Sequence, residues 1–362
     1  AEQYTVTLRL RVVDANGLKA EDRRSIGARH DPQLQPGMPK HYGAEISGAP
    51  SFVALQGRRQ LDLVFSTYDG DVHALDRSGR ELPGFPVHSD PIRSFDPFAP
   101  ESFNARAYRE NPAFRNLRDP LSGTAVGDLK HTGQQDIVAT GMNGRVYAWD
   151  SRGHRLPGFP RMMPTPPGQH AVPTPRSATP HSRDPLRGAW AFPVLAPLQG
   201  GHKLDVIIPG WDGKVYAWQP NGRLVPGWPV EIKLPAADFT RDGVGPNSYI
   251  HDPKLMYSVG VADVLKTGKP QVFVSSFECS GKSVATAQTA GGLLPGGSTS
   301  TAAKGWLYGI WSNGGRHAGG AYLPHWPVAL SGLAFCYDQS IDFVGEGVSP
   351  PTFANLDGSG LK

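Results

Sequence analysis

Residues 141–160, GMNGRVYAWDSRGHRLPGFP, recur in close variants along the chain, and this repetition limits the fold more than any other feature. Residues 67–86 read TYDGDVHALDRSGRELPGFP and residues 210–229 read GWDGKVYAWQPNGRLVPGWP. A looser copy at residues 305–327 reads GWLYGIWSNGGRHAGGAYLPHWP. The hairpin glycines Gly70, Gly144 and Gly213 lie 74 and 69 residues apart, and Gly305 follows after 92. Units repeated at such an interval bury their apolar faces by stacking on one another.

Within the unit, Asp136-Ile137-Val138-Ala139-Thr140 is β-rich, and Asn143-Gly144 predicts a two-residue hairpin turn. Val146-Tyr147-Ala148-Trp149 returns as a second strand, and Ser151-Arg152-Gly153 turns the chain again. Pro157 and Pro160 bracket a short last strand, which proline confines to an edge. Residues 48–55, 122–129, 190–198 and 257–265 precede the four copies, are rich in small apolar residues and close on leucine. They are expected as inner strands.

Four antiparallel strands per unit predict an all-β fold, a β-propeller. Four recognisable four-stranded blades are expected at about residues 44–87, 121–161, 188–230 and 257–330, with the start of a fifth at 346–362. A β-sandwich of unrelated hairpins is the alternative, yet it would not require the same Pro-Gly-aromatic-Pro ending in three of the four copies. The 44 glycines and 35 prolines fit a turn-rich chain. No run reaches the ~18 apolar residues of a membrane span. The net charge of +4 comes with scattered arginines and no aromatic and basic platform, so nucleic acid is not an expected partner.

Ahead of the blades, residues 1–43 read as an N-terminal strand, AEQYTVTLRLRVVD, followed by a polar linker over residues 17–43. No initiator methionine precedes Ala1-Glu2, which is what secretory cleavage leaves; a cloning boundary would look the same. At the other end, PTFANLDGSGLK resembles the inner strand and loop of a blade that then stops. An unpaired edge of that kind predicts further chain, a second chain completing the propeller, or closure by residues 1–14.

On these residues the units resemble the FG-GAP or VCBS propeller repeat, an aspartate-rich loop leading into a DGxVYA strand and an LPGFP ending. The resemblance covers most of residues 44–362. It implies a secreted or periplasmic setting more than a reaction, since members include integrin-like ectodomains, lectins and polysaccharide lyases. The family's calcium loop is largely eroded: in residues 128–133 Lys130 and Thr132 replace carboxylates, and residues 263–266 are poorer still. Asn355, Asp357 and Ser359 keep oxygen ligands at alternate positions, so calcium is expected there if anywhere.

Long links at residues 87–121, 161–188 and 230–257, and the insertion at 279–304, should all gather over one face, leaving the opposite face plain. Loops on a rigid scaffold carry binding and catalysis. Inside them a small motif repeats as Arg118-Asp119-Pro120, Arg183-Asp184-Pro185 and His251-Asp252-Pro253. The aspartates could ring the axis and hold a cation or a basic group, or simply cap local amides at an Asp-Pro turn. Arg93, Arg106, Arg109, Arg115 and Arg118 make the first link basic, suited to carboxylate or sulfate groups. His170, His181 and His251 are dispersed in the links, and no HExxH, GxSxG, GxxxxGK[ST] or CxxC pattern occurs. Tyr147, Trp149, Tyr216 and Trp218 stand at strand spacing and are expected to pack between blades.

Cys279 and Cys336, the only cysteines, would pair in an exported protein and clamp the insertion. Two functional classes follow: an exported module that binds a glycan, a peptide or a companion subunit through the long loops, or an extracellular lyase or hydrolase using Arg, His and Asp from the same loops.

Overall fold

β-rich segments bounded by turn glycines become strands in the computed structural model, which describes residues 5–27, 39, 40, 42, 44–91, 118–163, 189, 191–210, 212–232, 254–256, 258–279, 299–329, 334–337, 344–345 and 350–354. Two compact units divide the chain, one built around residues 1–41 and one carrying the repeats. In the first, β1 (Thr5–Val13) pairs antiparallel with β2 (Lys19–Gly27). The stretch expected as linker therefore holds a second strand. Its run KAEDRRS shows no apolar alternation to betray it, and Asp14 Oδ1 closes the turn by accepting the amide N–H groups of Asn16 and Leu18.

The second unit is a β-propeller. β3 (Ile46–Val53), β4 (Asp62–Thr67), β5 (Asp71–Leu75) and β6 (Val87–His88) form the first antiparallel blade in that order. β7 (Leu121–Gly127), β8 (Asp136–Gly141), β9 (Arg145–Asp150) and β10 (Arg161–Met162) form the second. β11 (Val194–Ala196), β12 (Asp205–Pro209), β13 (Lys214–Trp218) and β14 (Val230–Glu231) form the third.

The fourth sheet has seven strands where four were expected. β15 (Lys254–Met256) and β16 (Gly260–Ala262) share the inner position on β17 (Gln271–Cys279). β18 (Thr299–Ile310) pairs with β17 and with β19 (Val328–Ala329). Because the insertion lengthens β17 and β18 beyond the ordinary hairpin, β18 offers extra ladder positions. β20 (Ala334–Tyr337) takes these, and β21 (Val344–Gly345) pairs β20. Cys279 lies opposite Ala303 and Cys336 opposite Ser300, so β18 runs between the two cysteines. Two ladder spacings, about 9.6 Å, exceed the roughly 7 Å that a disulfide bridges between Cα atoms. This register does not bring the expected pair together.

Two local expectations are corrected. The hairpin loop has three residues, not two: Gly144 N–H donates to the Gly141 carbonyl, and only Gly144 takes a positive φ, 91°. This is a type I turn followed by a left-handed glycine, and the first and third blades repeat it at Gly70 and Gly213. The last strand lies after the second proline rather than between the two. Leu156 N–H donates to the Ala148 carbonyl and Phe159 N–H to the Leu156 carbonyl, so Pro157-Gly158 is a turn and β10 begins at Arg161. The aromatic–proline bond is cis in all four copies.

Alternation along each third strand sends one set of side chains to each neighbouring blade. Tyr147 and Trp149 pack with Val64, Val72 and Phe85 of the first blade, while Val146 and Ala148 pack with Val206, Tyr216 and Trp218 of the third. Tyr147, Trp149, Tyr216 and Trp218 are all buried, so their rings are packing between blades. The glycine of each Pro-Gly ending meets the turn glycine of the next blade. A Cβ on Gly84 would run into the Arg152 carbonyl oxygen, one on Gly158 into that of Asn221, and one on Gly227 into that of Asn313. The fourth copy breaks the series, with His325 at φ 67° in the glycine's place.

A second recurring device ties each inner strand to the next. The leucine that closes the inner strand points its amide at the first side chain of the second strand. Leu55 N–H donates to Asp62 Oδ2 at 3.1 Å and Leu265 N–H to Gln271 Oε1 at 3.2 Å, and the Leu129 and Leu198 amides hold Asp136 and Asp205 in the same way. Burial pushes the Asp136 and Asp205 carboxyls up to about 6. Beyond the fourth blade, residues 350–354 lie where a next inner strand would. The Phe353 ring packs tilted against Phe273, 4.9 Å between ring centres, and a Cβ on Gly260 would meet the Pro351 carbonyl and the Phe353 ring.

Candidate functional site

Of the Arg-Asp-Pro motifs, the structure describes the first. Arg118 and Asp119 stand immediately before β7, and the chain leaving β6 comes back to meet them. Pro91 bridges Arg118, Asp119 N–H donates to the Asp90 carbonyl at 3.0 Å, and Ser89 Oγ donates to the Asp119 carbonyl at 2.8 Å. Arg118 Nη1 donates to the Ser89 carbonyl at 2.9 Å. The two ends of the first long link, at residues 88–91 and 118–121, are thus pinned together into a neck.

The Asp119 carboxylate faces inward and is fully buried. Oδ1 accepts the Asn143 amide N–H at 3.0 Å and Oδ2 accepts the Tyr147 hydroxyl at 3.1 Å, while that hydroxyl accepts the Asp90 N–H at 3.2 Å. Burial is the main cause that pushes the Asp119 carboxyl up to about 7, against these hydrogen bonds and the Arg145 charge, which pull it down. Burial and the adjacent Asp119 also push the Tyr147 phenol well above its usual range. A carboxylate ring open to a cation is therefore not what Asp119 contributes; it caps the hairpin amide of its own blade. Glu45, which stands ten residues before Leu55 as Asp119 stands ten before Leu129, is exposed.

The same position in the third strand is filled differently in each blade. Tyr216 donates to Asp212 Oδ2 at 2.5 Å, the acid coming from the hairpin itself. His73 sits 2.6 Å from Glu81. Around the neck, Asp90 is shared by Arg155 at 2.7 Å and Arg145 at 3.8 Å, and the Arg155 guanidinium lies 5.4 Å from the Tyr147 ring centre. Arg145 and Arg155 thus share one acid, and Arg118 is held beside it on the Ser89 carbonyl. Arg145 and Arg155 went unremarked in the sequence, because pairing across 55 and 65 residues to Asp90 leaves no local pattern.

Arg183, Asp184, His251 and Asp252 lie outside the described residues, as do Asn355, Asp357 and Ser359 of the expected calcium loop. In the two eroded loops the acids are already engaged. Asp128 accepts the Thr132 and Gly133 amides at 2.8 and 2.6 Å, and Asp263 accepts those of Thr267 and Gly268 at 2.9 and 2.7 Å. These hydrogen bonds hold both carboxyls below the usual range, and the donors occupy the oxygens a cation would need. Among the described residues no three His, Cys, Asp or Glu side chains form a metal-binding group.

The raised Asp119 value sets a pH dependence. Between about pH 4 and pH 7 the folded chain keeps a proton that the unfolded chain releases, so stability falls as pH rises through that window. Asp136 and Asp205 act in the same direction up to about pH 6. Scanning calorimetry is expected to give a lower Tm at pH 8 than at pH 5, and Asp119→Asn is expected to flatten that difference. A Tm that climbs from pH 5 to pH 8 would contradict the assignment.

The described residues define a β-propeller. The sequence matches no family profile and no curated protein. Solved structures resemble it at low identity. BBS1N in complex with ARL6DN shares 13% identity at a TM-score of 0.32, over 72% of this chain and 54% of that one. Rhamnogalacturonan lyase YesW shares 14% at 0.35, over 93% and 58%. BamB from Moraxella catarrhalis shares 11% at 0.27, over 92% of each chain. The chain spans 54% and 65% of the two BBS1N chains it matches. No helix among the described residues is long and apolar enough to cross a membrane.

Proposed function

We propose that the chain is an exported FG-GAP/VCBS-like propeller module that binds a glycan, a peptide or a companion subunit through the long links on one face. The observation that carries this reading is the neck at residues 88–91 and 118–121. The polar residues of the motif are used to fix the root of a basic link, and the one perturbed carboxylate within reach, Asp119, is fully buried and committed to Asn143 and Tyr147. A rigid root lowers the ordering cost of a binding loop. Arg93, Arg106, Arg109 and Arg115, which lie in the sequence between the two ends of the neck, would suit carboxylate or sulfate groups.

Assembly is part of the same proposal. Residues 350–354 begin a fifth blade against Gly260 and Phe273, and His325 removes the glycine contact that joins the earlier blades. A further polypeptide would supply the outer strands. Calcium at Asn355, Asp357 and Ser359 would order that edge.

Substituting Arg118, His251 and Asp252 singly, with circular dichroism as the fold control, separates binding from catalysis on a panel of acidic oligosaccharides and peptides. Loss of affinity with no product formed at any stage supports the module. Turnover by the parent chain that disappears in a folded variant would instead establish the extracellular lyase or hydrolase reading.

A further inference from the structure

The first and third links of each blade emerge on the face opposite the long loops, the face expected to be plain. There, a groove of about 720 Å³ opens between the second and third blades. Its floor joins the blades directly, with Leu204 N–H donating to the Leu129 carbonyl at 3.1 Å. Lys130 stands on one wall and Lys203 on the other, beside His202. The His202 ring stacks on His131 at 4.6 Å and 21°. Gln199, Gln219 and Asn221 bring amide groups to the lining, and Gly200-Gly201 leaves part of it without side chains. Lys269 of the fourth blade reaches the rim, its Cε 3.8 Å from where a Cβ of Gly200 would stand.

Among the described residues no carboxylate lines the groove. The nearby acids are engaged elsewhere: Asp128 by the Thr132 and Gly133 amides, Asp136 by Leu129, and Asp205 by Gln199 Nε2 at 3.0 Å. Lys130 also faces Asp136, whose buried carboxyl it stabilises in the charged form. Cations recur in the same link of the other blades, as Arg58 and Arg59 in the first and Lys266 and Lys269 in the fourth. Ammonium groups select for an anion, and amides, each donor and acceptor at once, pair with hydroxyls that are the same. Apolar atoms make up most of the exposed lining, Pro157 and Pro220 among their sources, and such a surface suits the C–H faces of a sugar ring.

We propose that this groove binds an anionic sugar, a polyhydroxylated ligand carrying carboxylate or phosphate, with Lys130 and Lys203 on the charged group and Gln199, Gln219 and Asn221 on the hydroxyls. The site is separate from the long-loop face, so its failure and the failure of the binding module are read independently.

The test is calorimetric titration of the full chain with three probes: a galacturonic acid trimer, glucose 6-phosphate and a neutral galactose trimer. At least one acidic probe should bind at least tenfold more tightly than the neutral trimer, and whichever acid is preferred identifies carboxylate or phosphate as the charged group. Lys130→Gln combined with Lys203→Gln should weaken it at least tenfold. Both lysines are solvent-accessible, so an unchanged Tm is expected, and Lys203→Gln alone serves if removing the partner of Asp136 lowers it. Equal affinity for the neutral trimer, no binding of either acidic probe, or acidic binding indifferent to both lysines overturns the proposal.

Discussion

Gly158→Ala should destabilise the propeller by about 4 kcal/mol or more, at the extreme of what point substitutions cost. The residue sits at φ 94°, where an L side chain is strained, and its Cβ would overlap the Asn221 carbonyl oxygen, a backbone atom that cannot swing aside. Relief requires the second and third blades to part, which opens the buried cluster of Val138, Phe159, Ile208 and Trp218. Urea unfolding followed by tryptophan fluorescence checks it. Gly201→Ala, where nothing lies within 4 Å, is the control for a glycine of positive φ without a neighbour. Equal losses for the two variants would mean that the contact between blades contributes nothing.

Trp149→Ala should cost about 3–5 kcal/mol. The indole is 1% exposed and stacks on Tyr147 at 5.6 Å in the cluster between the first and second blades. Truncation leaves a cavity bounded by sheets that cannot close on it, because the Gly84 contact with the Arg152 turn fixes their separation. The midpoint of urea unfolding should fall with its slope unchanged, which separates lost packing from a changed unfolded state. A loss under 1 kcal/mol would place the ring at the surface, against the burial seen here.

The blades were legible in the sequence because the features that specify them are local. A glycine obliged to take a positive φ, an alternating strand and a leucine before an acid all fall within a dozen residues, and each recurs. What escaped depends on partners distant along the chain. Asp119 looked like a ring carboxylate or a turn cap, and only Asn143 and Tyr147, brought against it by the β8–β9 hairpin, decide between the two. The leucine–carboxylate contact is visible as a spacing, Leu55 to Asp62, Leu129 to Asp136 and Leu198 to Asp205, but a spacing alone does not say that the two groups meet. The groove left no mark at all, since short links attract no notice and its walls belong to two blades. β2 was missed for the opposite reason, its side chains being polar on both faces.

The most direct test of the assembly is the mass of the native particle, by light scattering with intact-mass spectrometry of its chains. The proposed second chain predicts a particle heavier than one chain of 38.9 kDa, with the added polypeptide protecting residues 350–354 from hydrogen exchange. A lone particle of 38.9 kDa, with those residues equally protected, would contradict it.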